Sequence, residues 1–315
     1  MTVMNLDVSP VVKGALTFIP GMSSLLPERA GETDSARYCY GVWLKHLAML
    51  HQSGLPSVPT TLLELGPGRS LGTGLAAMLC GVDHYYALDV VEHSSIETNL
   101  RIFDELVEMF QKRAPRPAKS WPDYDAHLDA RLFPVHILTD EVLKRTMTPQ
   151  RLAKIRNAIV QGRSSGPQVT IQYIAPWSDE KVIAPGTVDL VLSHAVLARV
   201  ADPAATYRAL HTWLKPGGAM SLQIGFAFPA FTGRWNGYWS YPEALWKIFK
   251  GRRPFVMNRL PCSAHLSLIE AQGFRFACKL KQYRDGIPRS QLAAQWRSLS
   301  DDDLGCSGLF VQATK

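Results

Sequence analysis

Two carboxylates and two glycines, Glu64, Gly66, Gly68 and Asp89, carry the first chemistry in this sequence. Gly66 and Gly68 flank Pro67 and lack a Cβ, so the backbone there can turn sharply and a ligand can approach it closely. Asp89 follows about 20 residues later, where a carboxylate can accept hydrogen bonds from both hydroxyls of a ribose. Together they point to a nucleotide pocket; a tight structural turn and a surface Asp are the plainer alternative. A phosphate-binding loop ends in Gly-Lys-Ser/Thr, and no Lys follows Gly72 or Gly74. A dinucleotide loop prefers G-x-G-x-x-G, and here the third glycine, Gly72, is one place late. Glu64, two residues before the first glycine, suits a cationic ligand group rather than a pyrophosphate, by Coulomb attraction.

The elements that must position these groups are legible around them. Leu62, Leu63 and Leu65 form a short apolar run stopped by glycines, as in a buried parallel strand. Leu71 to Cys80 is rich in Ala and Leu and reads as a helix. Tyr85 to Leu88 is a second strand ending in Asp89. Strand, glycine turn, helix, strand and acid make the opening half of a nucleotide-binding α/β fold. A ribose acid beside an acid for a cation points to the amino group and sulfonium of S-adenosylmethionine. A helix from about Ala36 to Gln52 precedes this unit, and another from about Ile96 to Lys112 follows it. Val169–Tyr173 alternates as a third strand, with Pro176 and Trp177 at its carboxyl end, where an adenine ring could rest; a structural Pro-Trp turn is the alternative. Val188–Ser193 is a fourth strand with His194 at its carboxyl end. Asp202–Leu214 is a helix closed by Lys215-Pro216-Gly217-Gly218, and Ala219–Ile224 is strand five. Phe274–Leu280 and Gly308–Thr314 should pair as the last two strands.

Glu64-Leu65-Gly66-Pro67-Gly68 resembles the first motif of class I S-adenosylmethionine-dependent methyltransferases, and Asp89 resembles their second-strand acid. Val188–Leu197 is similar to their fourth-strand segment, and Leu214–Met220 to the turn before their fifth strand. The resemblance covers about half the chain, from Thr60 to Ile224. It implies an α/β fold: a doubly wound, Rossmann-like, seven-stranded, mostly parallel sheet with an antiparallel last strand, and here a helical insertion between the second helix and third strand. It implies S-adenosyl-L-methionine as cofactor, held by Glu64, Leu65, Gly66, Pro67, Gly68, Gly72, Asp89, Val90, Pro176, Trp177, Ser193 and His194. Where the family often continues Leu-Glu-His-Val, this chain has Leu197-Ala198-Arg199-Val200, so no role carries over for that acid and His. The flanking segments are similar to a branch of methyltransferases of glycan and surface-polysaccharide synthesis. That branch implies O-methylation of a sugar or glycan precursor. The runner-up acceptor is an aromatic or amine small molecule.

The whole chain, 1–315, reads as a single methyltransferase domain. Residues 1–34 are rich in turn formers and read as an irregular arm; with the helix that follows they make an N-terminal region of 1–55. Residues of about 113–167 read as a helical, mobile insertion. Its many Lys and Arg side chains are either a solvated face or a lid attracting an anionic substrate. Residues of about 226–262 are dense in aromatics and then in basic residues. They read either as a core helix with a basic exposed side or as a substrate wall with a rim seeking phosphate or a membrane surface. The wall reading makes Arg234, Trp235, Asn236 and Trp239 substrate contacts, with Tyr40 (or Tyr38) reaching in from the first long helix. A hydroxyl acceptor must lose a proton, and histidine suits that task near neutral pH. His194 is the first candidate base and His265, which opens a helix beside the aromatics, the second.

Composition bounds the rest. Of 315 residues, 46% are hydrophobic and 19% charged, enough to bury a core without staples. The net charge of +7 favours an anionic substrate or surface, but no nucleic-acid motif accompanies it. Five scattered cysteines without a C-x-x-C pair fit a reducing cytoplasm. No His/Asp/Glu set has metal-ligand spacing, so no metal is expected. A dehydrogenase using NAD and a non-catalytic binding module remain as readings of another class; the late glycine and Glu64 argue against the first, and Glu64 with Asp89 against the second.

Overall fold

The computed structural model describes residues 9–19, 33–117, 132–161, 169–177, 179–228, 232–253 and 256–315. Its centre is one seven-stranded sheet: β1 (Thr61–Leu65), β2 (His84–Leu88), β3 (Thr170–Ile174), β4 (Val188–His194), β5 (Leu214–Gly225), β6 (Arg275–Tyr283) and β7 (Cys306–Thr314). The spatial order is β3-β2-β1-β4-β5-β7-β6. The first five strands run parallel, and β7 is antiparallel to both β5 and β6. The architecture is therefore the Rossmann-like methyltransferase fold that the sequence motifs imply. The order reverses between β1 and β4, and in open α/β sheets ligands bind beyond the carboxyl ends of strands at that point.

Every residue of β1 is buried, because helices cover both sheet faces. One face carries α2 (Ala36–Gln52), α3 (Gly72–Cys80) and α4 (Ile96–Gln111), with α5 (Asp140–Thr146) and α6 (Pro149–Gln161) beside them. The other face carries α7 (Pro203–Trp213), α8 (Glu243–Lys250) and α9 (Cys262–Ala271). Short polar side chains start the helices: Ser35, Ser95, Thr139 and Asp202 each accept a bond from a first-turn N–H of α2, α4, α5 and α7. Gly72 and Gly74 let α3 lie flat on its neighbours. A Cβ at Gly74 would fall 2.0 Å from the Tyr85 ring, and one at Gly72 2.5 Å from Cys39 Sγ.

Three readings are refined here. Residues 9–16 of the arm form a helix, α1 (Ser9–Leu16), rather than irregular chain. It lies against α8 so closely that a Cβ at Gly14 would strike the Ile248 carbonyl. The described part of the insertion is packed: Leu143, Ile155, Ala158 and Ile159 join the core on the α3 side. Two of its arginines are held by the core elements. Arg151 pairs with Asp83 and donates to the Met78 and Val82 carbonyls, and Arg156 pairs with Asp104. Lys119 and Arg163 of the insertion lie outside the described residues. Lastly, the aromatic segment is core: Trp235, Tyr238, Trp239, Tyr241 and Trp246 are buried under the β5–β7 side of the sheet. Among the described residues, no helix is long and apolar enough to cross a membrane.

Candidate functional site

A cavity of about 280 Å³ opens at the reversal point, at the tips of β1, β2 and β4. Leu65, Gly66 and Gly68 supply one wall, Leu88, Asp89, Val90 and His93 a second, and His194–Val196 with Arg199–Ala201 a third. Thr33, Tyr38 and Trp177 complete it. The β1 loop turns because Gly66 and Gly68 adopt φ of +77° and +76°, the left-handed region that only glycine enters without strain. The loop is tied down on both sides. Gly66 N donates to Leu88 O at 2.8 Å, Gly68 N to Asp89 Oδ2 at 3.2 Å, and Arg69 N to Thr33 Oγ1 at 2.8 Å.

Asp89 sits at the centre of this arrangement. Its Oδ1 also accepts the Val90 N–H at 2.7 Å. Burial raises its pKa, and these N–H donors pull it back. Two carboxylate oxygens offer about four acceptor positions, so two loop bonds leave capacity for hydroxyl donors. Trp177 is fixed beside it, its N–H donating to Asp89 O at 3.0 Å.

His194 ends β4 on the cavity wall. Ala195, the next residue, holds φ of +62°, uncommon for a residue with a Cβ, and donates to Gln223 O at 2.8 Å. That turn ends the strand with His194 in place. The inner edge of the His194 ring meets His46 of α2, Nδ1 to Nε2 at 3.2 Å. Tyr38 meets the same ring edge-on at 6.2 Å between centroids. Burial, then Lys45 and His46, depress the His194 pKa well below the ordinary value, so its imidazole is neutral at pH 7.

Several residues expected at the site lie elsewhere. Glu64 does not line the cavity. Its carboxylate is buried beneath the loop, where the Tyr85 hydroxyl donates to it at 2.5 Å. Burial pushes its pKa up to about 7 against hydrogen bonds from Tyr85, Thr73 and Gly74. It stands in the middle of a fully buried strand, on the α3 side, away from the cavity wall. Gly72 packs against Cys39, and Pro67 is not on the cavity wall. Ser193 is buried and ties β4 to β1, donating to Leu65 O at 3.1 Å. Pro176 is exposed outside the cavity, after a cis peptide bond to Ala175. His265 is a core histidine, buried between Tyr207, whose hydroxyl lies 2.8 Å from Nδ1, and Phe226. Tyr40 is buried between helices and donates to Ala114 O at 2.6 Å; Tyr38, two residues earlier, is the tyrosine on the wall. Of the aromatic segment, Trp235 and Trp239 donate to the Arg284 and Arg259 carbonyls. Asn236 holds Ile287 N and Leu304 O, and Arg234 points to solvent. None of the four reaches the cavity.

Sequence reasoning missed Thr33, His93, Arg199 and the buried His46. A signal existed for His46: Lys45 and His46 are adjacent ionisable residues in an otherwise apolar stretch of α2.

Residues 153–222, from within α6 to β5, match the family described as Methyltransferase domain. Over those residues, less than a quarter of the chain, the sequence is similar to that family. Similar solved structures include an S-adenosylmethionine dependent methyltransferase from Mesorhizobium loti (16% identity, 87% of this chain and 98% of that one, TM-score 0.41). Another is phosphoethanolamine N-methyltransferase 2 of Haemonchus contortus with phosphomonomethylethanolamine and S-adenosylhomocysteine (15% identity, 87% and 52%, TM-score 0.39). A third is the [4+2]-cyclase SpnF (12% identity, 86% and 79%, TM-score 0.42). Among curated proteins none matches. The residues lining the cavity fit S-adenosylmethionine. The loop backbone is bare toward it at two left-handed glycines, and Asp89 keeps free acceptor positions where a ribose would lie. Glu64 is withdrawn from this wall.

Proposed function

We propose that the protein moves a methyl group from S-adenosylmethionine to a hydroxyl of a small anionic acceptor, with His194 as general base. The place of His194, at the carboxyl end of β4 on the cavity wall, carries this reading. The bound cofactor supplies an electrophilic methyl carbon on a sulfonium. The chain must align the acceptor oxygen with that carbon, keep water out and accept the hydroxyl proton. Gly66 and Gly68 offer backbone to the cofactor, Asp89 its remaining lone pairs to the ribose, and Val90 and Trp177 apolar walls to the adenine. His194 is neutral at pH 7, so its ring nitrogen can accept the hydroxyl proton as the methyl is transferred. Its lowered pKa makes it a weaker base than an exposed histidine.

Arg199 supports the anionic acceptor. Its guanidinium lies over the Phe228 ring at 5.7 Å, on the cavity wall, and can hold a phosphate or carboxylate through two N–H bonds. Phosphorylated or nucleotide-linked sugars, the precursors of glycans, carry both a hydroxyl and such an anion. A cationic amine acceptor would be repelled by Arg199. The test is labelled-methyl transfer across nucleotide sugars, sugar phosphates, neutral glycans, phenols and amines. Phosphorylated sugars should label. Arg199→Ala should raise their KM about tenfold or more, and His194→Ala should lower kcat roughly a hundredfold. Labelling of amines alone, or full activity in His194→Ala, overturns the reading.

One observation favours a second reading, an acceptor carried on a lipid surface. Val12, Phe18, Ile19 and Ile248 are exposed on the α1/α8 pair, beside exposed Lys13, Lys247, Lys250 and Arg252. Apolar side chains among cations suit the interface of an anionic bilayer. Sedimentation with phosphatidylserine vesicles should pull the protein down at low salt; equal recovery with neutral vesicles removes that reading. The five free cysteines, four of them buried, support a place in the reducing cytoplasm.

A further inference from the structure

The inner side of His194 leads through a line of polar side chains across the strands, on the α2 face of the sheet, to β7, and the line has a direction. Its fixed end is Gln312 of β7. The Gln312 amide meets four neighbours, and two of them cannot change role: Met49 O only accepts and Leu50 N only donates. Both are satisfied in one orientation. The Gln312 nitrogen then donates to Met49 O at 3.0 Å and Ser53 Oγ at 2.8 Å, and its oxygen accepts from Leu50 N at 3.1 Å and Ser221 Oγ at 3.0 Å. Ser221 is its direct cross-strand partner on β5. A hydroxyl has one proton. Ser221 gives it to Gln312, so toward His46 Nδ1, 2.7 Å away, Ser221 can only accept. His46 therefore carries its proton on Nδ1, and its bare Nε2 accepts from His194 Nδ1. The proton of a neutral His194 is then on Nδ1, and its Nε2 is a bare lone pair on the ring edge left to the cavity.

We propose that His46, with Ser221 and Gln312 behind it, is a positioning residue that fixes His194 as the Nδ1–H tautomer and so sets its Nε2 as the proton acceptor of the site. This rests on His194 as base, and adds what selects its reactive form. His46 is fully buried, and its ring is also held by Phe310 at 5.4 Å, so the pair cannot rotate out of line. Burial and the neighbouring Lys45 keep both rings neutral, the state in which the tautomer matters. An orienting carboxylate would set the same tautomer but would hold a charge in the core. Here neutral groups do it at the cost of only one allowed direction.

The experiment is histidine 15N–1H correlation spectroscopy of the full chain, which reads the tautomer without reference to turnover. His194 should show Nδ1 protonated and Nε2 bare, and His46 the same. In Gln312→Glu, whose carboxylate can only accept, the order should be retained. In His46→Phe, His194 should become a mixture of tautomers, with kcat down about tenfold to a hundredfold and cofactor affinity within about twofold. In His46→Gln, whose amide oxygen can accept from His194, much of that kcat should return. Nε2–H on His194 in the unaltered protein overturns the proposal, even where His194→Ala abolishes turnover. Conversely, the Nδ1–H form in a protein whose His194→Ala variant stays fully active upholds the tautomer and removes the base.

Discussion

Two regions of this chain carry the residue types of a binding site, and only one of them lines a cavity. The tip of β1 and β2, Gly66 to Asp89, opens on the cavity; the aromatic stretch from Phe226 to Trp246 is buried beneath the sheet. At the tip, the chemistry depends on backbone: two left-handed glycines and a carboxylate whose oxygens hold loop N–H groups. In the aromatic stretch every polar atom with a named partner is bonded inward, Trp239 Nε1 to Arg259 O and Asn236 to Ile287 N. Apolar rings can line a ligand or fill a core, and composition does not say which; a strained loop facing open space has fewer uses.

The largest effect that would break this contrast is on the aromatic side. Trp239→Ala should cost about 3–5 kcal/mol of stability in chemical denaturation while leaving KM per folded molecule unchanged. A KM change without destabilisation would return Trp239 to the site. Asp89→Ala should weaken S-adenosylmethionine binding about a hundredfold by calorimetry, since it removes the ribose acceptor and frees the Gly68 and Val90 N–H groups together. Unchanged affinity would make Asp89 a loop tie only. Glu64→Gln tests the buried acid by pH. With its pKa raised from 4.5 to about 7, folded Glu64 keeps a proton that the unfolded chain has lost. Its contribution is full below about 4.5 and is lost as pH rises through about 7. The Gln variant should therefore gain on the parent by up to about 3 kcal/mol between pH 5 and 8. Parallel stability curves would mean the carboxylate is ionised or solvated. Arg234→Ala should be the smallest change, within about 0.5 kcal/mol and without effect on turnover.

The leading unit was legible because its local rules agree. Leu62–Leu65 needs burial on both sides, Gly66 and Gly68 need positive φ, and Asp89 ends the next strand, so one topology satisfies all three. Glu64 shows where such reasoning stops. Coulomb's law rightly asks for a partner near a buried acid, but that partner is the Tyr85 phenol across the strand pair, a contact set by register rather than by sequence distance. His265 fails similarly: it opens α9, yet Tyr207 and Phe226 enclose it. Arg199 was visible only as a departure from the family pattern, and its use depends on how the turn after Ala195 folds back over the cavity.

Thr33 gives the amino-terminal segment a stake in the pocket. Its hydroxyl receives Arg69 N, its carbonyl receives the Ser70 hydroxyl, and Asp34 pairs with Arg69 at 3.2 Å. These two residues work as a clasp on the glycine turn, so shortening the chain from its start should show a threshold. Cofactor retention should persist up to the clasp and drop when Thr33 goes, with the sheet still intact.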